Sequence, residues 1–400
     1  MDFLCGRVPS RLIVVVSCVI ILSALVSLWI YVQLCVKVEP IESRKSVETG
    51  RAGETTLGKD ALAIMKSYEA NCFRLRLFVN PKQRDEWGGF TGNNLEYTIK
   101  LAKRIKGIGA KLILDLHYSD TWADLQRQDI PVAWRGLSYE QLVEKVYEYT
   151  RSVMVRMREE GVLPDMVQIG NEITCGILWP VGKVCDVENS EEQWKRFTTL
   201  LKAAVKGVRE GVGNTTVKII LHIHGEGFEV TRWFFSYIER HGVEYDVIGL
   251  SYYPWWHGSL SNLRVNIQNT VMVFGKEVLI VETAYPYYYV DLSQIAWAET
   301  EYVVWDFTPE GQRSFLMDLA KVANVPGCIG LLWWYPEAMP VGDLNVWLGG
   351  AAALFDLKGK PLPALKAFRE IRELVGSSFL LGGDVSSLAE IERLGGVYSD

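Results

Sequence analysis

Met166-Val167-Gln168-Ile169-Gly170-Asn171-Glu172 is a short apolar run that ends in a carboxylate, and Val278-Leu279-Ile280-Val281-Glu282 repeats the pattern. Such runs predict buried parallel strands. Similar runs occupy 72–79, 111–116, 217–222, 247–252 and 327–334, so the two glutamates close the third and sixth of seven strands. Helical patterns lie between them. Ser138-x-x-Gln141 is a capping-box signature, and Leu142, Val146, Tyr149, Val153 and Met157 follow it at helical spacing. Other helices are expected over 57–69, 191–212 and 364–374. This alternation means a parallel sheet wrapped by helices, and the length suits one (β/α)8 TIM barrel of class α/β.

Seven strands leave a closed ring one short. Phe379-Leu380-Leu381-Gly382-Gly383-Asp384 is a further apolar run after the last helix. If residues 379–386 supply strand 1 beside the run that starts at Cys72, the ring closes and the barrel is circularly permuted, with strand 1 at the C-terminus. A disordered tail and the start of a second copy are the alternatives, and both leave an open, sticky edge. Permutation puts the chain break in the loop from strand 1 to the first helix, on the catalytic face.

A carboxylate at the carboxyl end of a barrel strand sits where barrel enzymes do their chemistry. Two of them, on different strands, are the minimum for breaking a glycosidic bond: one protonates the leaving oxygen and the other attacks or stabilises the sugar cation. The competing reading makes each an ordinary strand-end residue in a solvated loop. The tryptophans that gather just after the strands (Trp122, Trp179, Trp255, Trp256, Trp333 and Trp334 among them) favour a sugar site, because sugars stack their flat apolar faces on such rings.

The N-terminal part carries a separate signal. Leu12 to Val36 is apolar and free of charge for 25 residues, long enough to span a bilayer. It lacks the short core and small-residue cleavage site of a secretory signal. The expected organisation is a cytoplasmic stub and transmembrane anchor over 1–37, a linker over 38–56 and a catalytic barrel over 57–400. The barrel would lie outside the cell, or be secreted if the anchor is cleaved. The net charge of −6 offers no basic footprint for nucleic acid. Cys175 and Cys185 flank a loop and can pair in an oxidising compartment. No zinc-type ligand spacing occurs, so neither metal nor cofactor is expected.

Several motifs resemble glycoside hydrolase family 53, the arabinogalactan endo-β-1,4-galactanases of clan A. They are Arg74-Leu75-Arg76-Leu77-Phe78-Val79-Asn80-Pro81, Asp115-Leu116-His117-Tyr118-Ser119-Asp120-Thr121-Trp122-Ala123-Asp124, Gln168-Ile169-Gly170-Asn171-Glu172, Leu178-Trp179-Pro180, Gly249-Leu250-Ser251-Tyr252-Tyr253-Pro254-Trp255-Trp256-His257-Gly258 and Val281-Glu282-Thr283-Ala284-Tyr285-Pro286. The stretch Gly382 to Glu392 looks like the family's usual beginning. The resemblance implies a retaining endo-glycosidase acting on β-1,4-galactan, with Glu172 as acid/base and Glu282 as nucleophile.

Strand alternation puts Arg74 and Arg76 on one face. Arg76, nearer the strand end, is expected to face Glu282, and Arg74 to be structural. Asn171 is expected on the sugar 2-hydroxyl, His117 on substrate or Asn171, and Tyr253 as a donor to Glu282. Trp334 should floor the central subsite, with Asn80, Asp120, Trp122, Trp256 and His257 lining the groove. Where the family reads Tyr-Trp-Glu-Pro-Ala-Trp, this chain has Trp333-Trp334-Tyr335-Pro336-Glu337-Ala338. That departure keeps another clan-A activity open, on mannan or xylan, as well as a non-catalytic polysaccharide-binding role.

Overall fold

The computed structural model describes residues 60–400. Eight parallel strands form one closed ring. In chain order they are β1 (Cys72–Leu77), β2 (Lys111–Leu116), β3 (Met166–Ile169), β4 (Lys218–His224), β5 (Val247–Tyr252), β6 (Glu277–Thr283), β7 (Cys328–Trp334) and β8 (Leu380–Asp384). The expectation of a (β/α)8 barrel holds, and β8 fills the gap between β7 and β1.

Two glycines let β8 enter. A Cβ on Gly382 would lie 1.7 Å from the Cys72 carbonyl oxygen, and one on Gly383 would lie 2.6 Å from that of Trp333. Only a strand bare at both positions fits between those neighbours. Cys72 pairs with Gly382 and Arg74 with Asp384, while Asp384 pairs with Trp334 on the other side. The barrel interior is plugged by Cys72, Ile113, Met166, Ile220, Leu279 and Leu380 among others. Above this apolar plug, toward the carboxyl ends, the same inward rows turn polar: Arg74, Asp115, Gln168, His222, Ser251 and Asp384 are all buried.

The outer wall between β8 and β1 is built from two short helices, Leu388–Arg393 and Ala61–Ser67. Arg104 clasps both, with Nη1 2.7 Å from Glu392 and Nη2 2.8 Å from Asp60. Tyr68 donates from its hydroxyl to Asp400 at 3.0 Å. The opening in the ring's connectivity therefore lies on the helical wall, and the expected break in a catalytic-face loop is corrected. Helices at Tyr139–Glu159 and Ser190–Gly211 match expectation, the first with both halves of its capping box.

Cys175 and Cys185 form a disulfide. The expected transmembrane segment and linker lie outside the described residues. Among the described residues no helix is long and apolar enough to cross a membrane.

Candidate active site

Glu282 reaches the site through an irregularity. Leu279 and Val281 both face the barrel interior, so strict alternation would turn Glu282 outward. The β5–β6 register pairs Leu250 with Ile280 but Ser251 with Glu282, skipping Val281. This bulge brings Glu282 to the inner face beside Ser251. Glu172 arrives by a different turn. Gly170 ends β3 at φ +77, where a Cβ would lie 2.4 Å from Ile173 Cγ2. Glu172 is itself left-handed at φ 46, which costs about 1–2 kcal/mol for a residue with a Cβ.

Both carboxyls meet a polar cluster centred on Arg74. Its Nη2 lies 2.8 Å from Asp115 Oδ2 and donates to Asn171 Oδ1 at 2.7 Å. Its Nη1 donates to Asp384 Oδ2 at 3.1 Å and lies 2.9 Å from Glu282 Oε1. The latter is an ion pair without an aligned hydrogen bond to Oε1. Tyr253 donates to Glu282 Oε2 at 3.2 Å. Glu172 Oε1 accepts from Ser251 Oγ at 2.7 Å.

Burial pushes the Glu172 carboxyl up to about 7. Burial also raises Glu282, to about 8, with the Glu172 charge adding to the push and Arg74 opposing it. The donors divide the two groups. Arg74 can give hydrogens and never take one, so it holds the charge on Glu282 and leaves the proton to Glu172. Arg74→Met should leave Asp115 and Glu282 buried without their guanidinium partner and Asp384 with Arg76 alone, at a cost of about 3–5 kcal/mol. A denaturant midpoint equal to that of the parent would contradict this electrostatic account.

The two arginines exchange their expected places. Arg76 does not touch Glu282. Its guanidinium is fully buried, donating to Asn93 and Ser387, paired with Asp384 Oδ1 at 3.4 Å and stacked 4.4 Å from the Trp122 ring centre. It is thus the underside of an aromatic floor formed by Trp122 and Trp334, whose rings meet edge to face. His117 is also buried. Its Nε2 lies 2.8 Å from Asp115 and its Nδ1 accepts from the Ala123 N–H, so it braces Asp115 and does not contact Asn171. His257 is corrected in the same way: it is buried, stacked on His224, and accepts the Tyr253 N–H at 2.9 Å.

Asn171 is 6% exposed, with its amide nitrogen donating to the Ala123 carbonyl. Trp256 is 36% exposed and packs edge-on to Tyr253. Trp122 is half-buried, and its Nε1 donates to Asp85. Asn80 and Asp120 line a cavity of about 610 Å³ over the loops after β1 and β2, whose walls include neither catalytic candidate. Asp120 caps the backbone N–H groups of Asn80 and Val132 there. Sequence reasoning gave no role to Asp115, Gln168, Ser251 and Asp384, although each lies within a quoted motif. Their signal was a polar side chain inside an apolar strand. Among the described residues no group of His, Cys, Asp and Glu is arranged to hold a metal ion.

Two carboxyls in unlike settings, reached from the carboxyl ends of separate barrel strands, are the tools of the glycoside hydrolases. Sequence relatives narrow the class. Residues 41–368 match the family described as glycosyl hydrolase family 53, and the chain belongs to that family. It is 31% identical over 355 residues to the endo-beta-1,4-galactanase of Bacillus subtilis (strain 168), covering 78% of this chain and 79% of that one. It is 31% identical over 320 residues to the arabinogalactan endo-beta-1,4-galactanase of Thermothelomyces thermophilus, covering 77% and 90%. The GH53 catalytic domain of Ignisphaera aggregans superposes with a TM-score of 0.69 at 35% identity, covering 78% of this chain and 88% of that domain. The family match begins inside the stretch read as linker and ends before β8.

Proposed function

We propose that this chain is an endo-acting, retaining β-1,4-galactanase with Glu282 as nucleophile and Glu172 as acid/base. The observation that carries the reading is the unequal setting of the two carboxyls: Glu282, buried against Arg74 and Tyr253, and Glu172, half-buried against Ser251. The choice of galactan follows the activities named for the relatives.

In the first step a Glu282 oxygen bonds to the anomeric carbon. The glycosidic C–O bond breaks with its electron pair on the leaving oxygen, which takes the proton from Glu172. In the second step Glu172 removes a proton from water, the water oxygen bonds to the anomeric carbon, and Glu282 departs. Trp122 and Trp334 offer the sugar an apolar floor, and Asn171 is the candidate for the 2-hydroxyl. Turnover should fall as pH rises through about 7, because the form of Glu172 that donates a proton is lost there.

The apolar run at 12–36 supports a membrane-tethered enzyme. The Cys175–Cys185 disulfide supports a barrel outside the cell. Beyond that, the position of β8 and the end of the family match before it support a permuted barrel.

The test is reducing-sugar release by the full chain from β-1,4-galactan, β-1,4-mannan and xylan, with the first-formed anomer followed by NMR. The expected result is galactan cleavage with the β-anomer appearing first. Turnover of mannan or xylan instead would move the substrate assignment within the clan. An α-anomer first, or no turnover of any polymer, would overturn the mechanism. Galactan cannot enter intact cells, so its cleavage by cells expressing the chain reports an outward-facing barrel.

A further inference from the structure

We propose that His222 and Ser251 form a clamp that positions Glu172 for proton transfer, an inference that rests on the acid/base role given to Glu172 above. His222 is fully buried and reaches Glu172 by two routes, one direct and one through Ser251. Its Nδ1 lies 3.3 Å from the Glu172 backbone nitrogen, and its Nε2 lies 2.8 Å from Ser251 Oγ. Ser251 Oγ in turn lies 2.7 Å from Glu172 Oε1. These contacts close a ring that runs from the imidazole through the serine to the carboxyl, back along the Glu172 main chain to the imidazole.

Hydrogen counting fixes the directions. Ser251 has one hydrogen, and giving it to Glu172 Oε1 obliges His222 Nε2–H to donate to Ser251. His222 Nδ1 is then bare and accepts from Gln168 Nε2 at 3.0 Å and from the Glu172 N–H at 3.3 Å, with Asn171 Oδ1, which takes its hydrogen from Arg74, also 3.0 Å away. Burial and the nearby Arg74 charge hold His222 well below its ordinary value, so the ring stays neutral and keeps this tautomer. Oε1 accepts from Ser251, and the Leu125 backbone N–H also meets the carboxyl.

The clamp also accounts for a backbone that would otherwise be unfavourable. Glu172 sits at φ 46, and a residue with a Cβ persists there only when its surroundings over-determine it. The imidazole holds its N–H while the serine holds its side chain, so the turn and the rotamer are fixed together. The charged and titratable groups around Glu172 are Arg74 on β1, Asp124 after β2, His222 on β4, Tyr253 after β5 and Glu282 on β6. Ser251 is the hydroxyl that meets the carboxyl itself.

The experiment compares Ser251→Ala and Ser251→Thr with the parent full chain. Two substrates separate the steps: β-1,4-galactan, whose leaving sugar needs a proton, and a 2,4-dinitrophenyl β-1,4-galactobioside, whose phenolate leaves without one. With Ser251→Ala, kcat/KM on galactan should fall about 10²-fold, and on the dinitrophenyl glycoside by less than about 5-fold. The basic limb of the galactan pH profile should move upward, because the lost hydrogen bond favoured ionised Glu172. Ser251→Thr, which keeps the hydroxyl, should recover most of the loss.

Equal losses on both substrates, or an unmoved basic limb, would overturn the clamp and leave Ser251 a packing residue. If the parent cleaves neither substrate, the functional reading fails instead. The clamp is then decided without turnover, by a ¹³C NMR titration of the Glu172 carboxyl: a higher midpoint in Ser251→Ala upholds it, and an unchanged midpoint ends it.

Discussion

Glu282→Gln should abolish turnover of galactan, with kcat reduced on the order of 10⁴-fold or more, as for other residues that form a covalent bond to substrate. The amide keeps the shape of the side chain but cannot attack the anomeric carbon. The fold should survive the change. Arg74 retains Asp115 and Asp384 as counter-charges, and Tyr253 can still donate to the amide oxygen. A lost activity with an unchanged thermal midpoint is therefore the expected pair of results. Residual turnover within tenfold of the parent would remove Glu282 from the reaction and with it the two-carboxylate mechanism.

Ending the chain after Gly376 should be as severe for folding as Glu282→Gln is for chemistry. The cut removes β8 and the short helix behind it. Leu380, Leu381, Val385, Leu388 and Ile391 are all buried, and at roughly 2 kcal/mol each their loss approaches 10 kcal/mol. A domain's whole stability is about 5–15 kcal/mol. The truncation also strips Asp384 from both Arg74 and Arg76 and leaves β1 and β7 with unpaired edges. The expected outcome is an aggregated product without a cooperative unfolding transition. A soluble, monomeric protein with near-parental melting would show that the ring does not depend on its last strand.

The barrel was legible because each strand is a compact apolar run, and because one missing strand forced attention to Phe379–Asp384. Strand ends moved little: β4 runs on to His224 and β6 to Thr283. The site was less transparent. Side-chain alternation says which residues share a face, but it does not say which reach the centre. Arg76 was the natural partner for Glu282 by its height on β1. In the structure Asp384, Asn93 and Ser387 draw its guanidinium sideways beneath Trp122, and the longer reach from the layer below falls to Arg74. Asp384 lies 310 residues away from Arg74 in the chain, so no local pattern announces that competition.

The inward turn of Glu282 depends on a skipped residue in the pairing, which apolar periodicity cannot display. His257 read as a groove residue because it follows two tryptophans in a loop. The short helical turn Pro254–His257 instead folds its ring under Tyr253. Tyr253 directly follows β5 on its inward row and meets Glu282 there, whereas Glu172 comes after the turn at Gly170 and meets Ser251. Ser251 was given no role because a serine near a strand end is ordinary in sequence, and its value comes only from standing between His222 and Glu172.

The place of β8 also governs when the protein can become itself. The ribosome delivers β1 early and its flanking partner only after Leu380 has been translated. Nascent chains otherwise tend to fold from the beginning as they emerge. Here one side of β1 stays vacant until β7 and the helix after it have been made, so ring closure waits on β8. Shelter for that vacant flank in the meantime is what the arrangement asks of the cell.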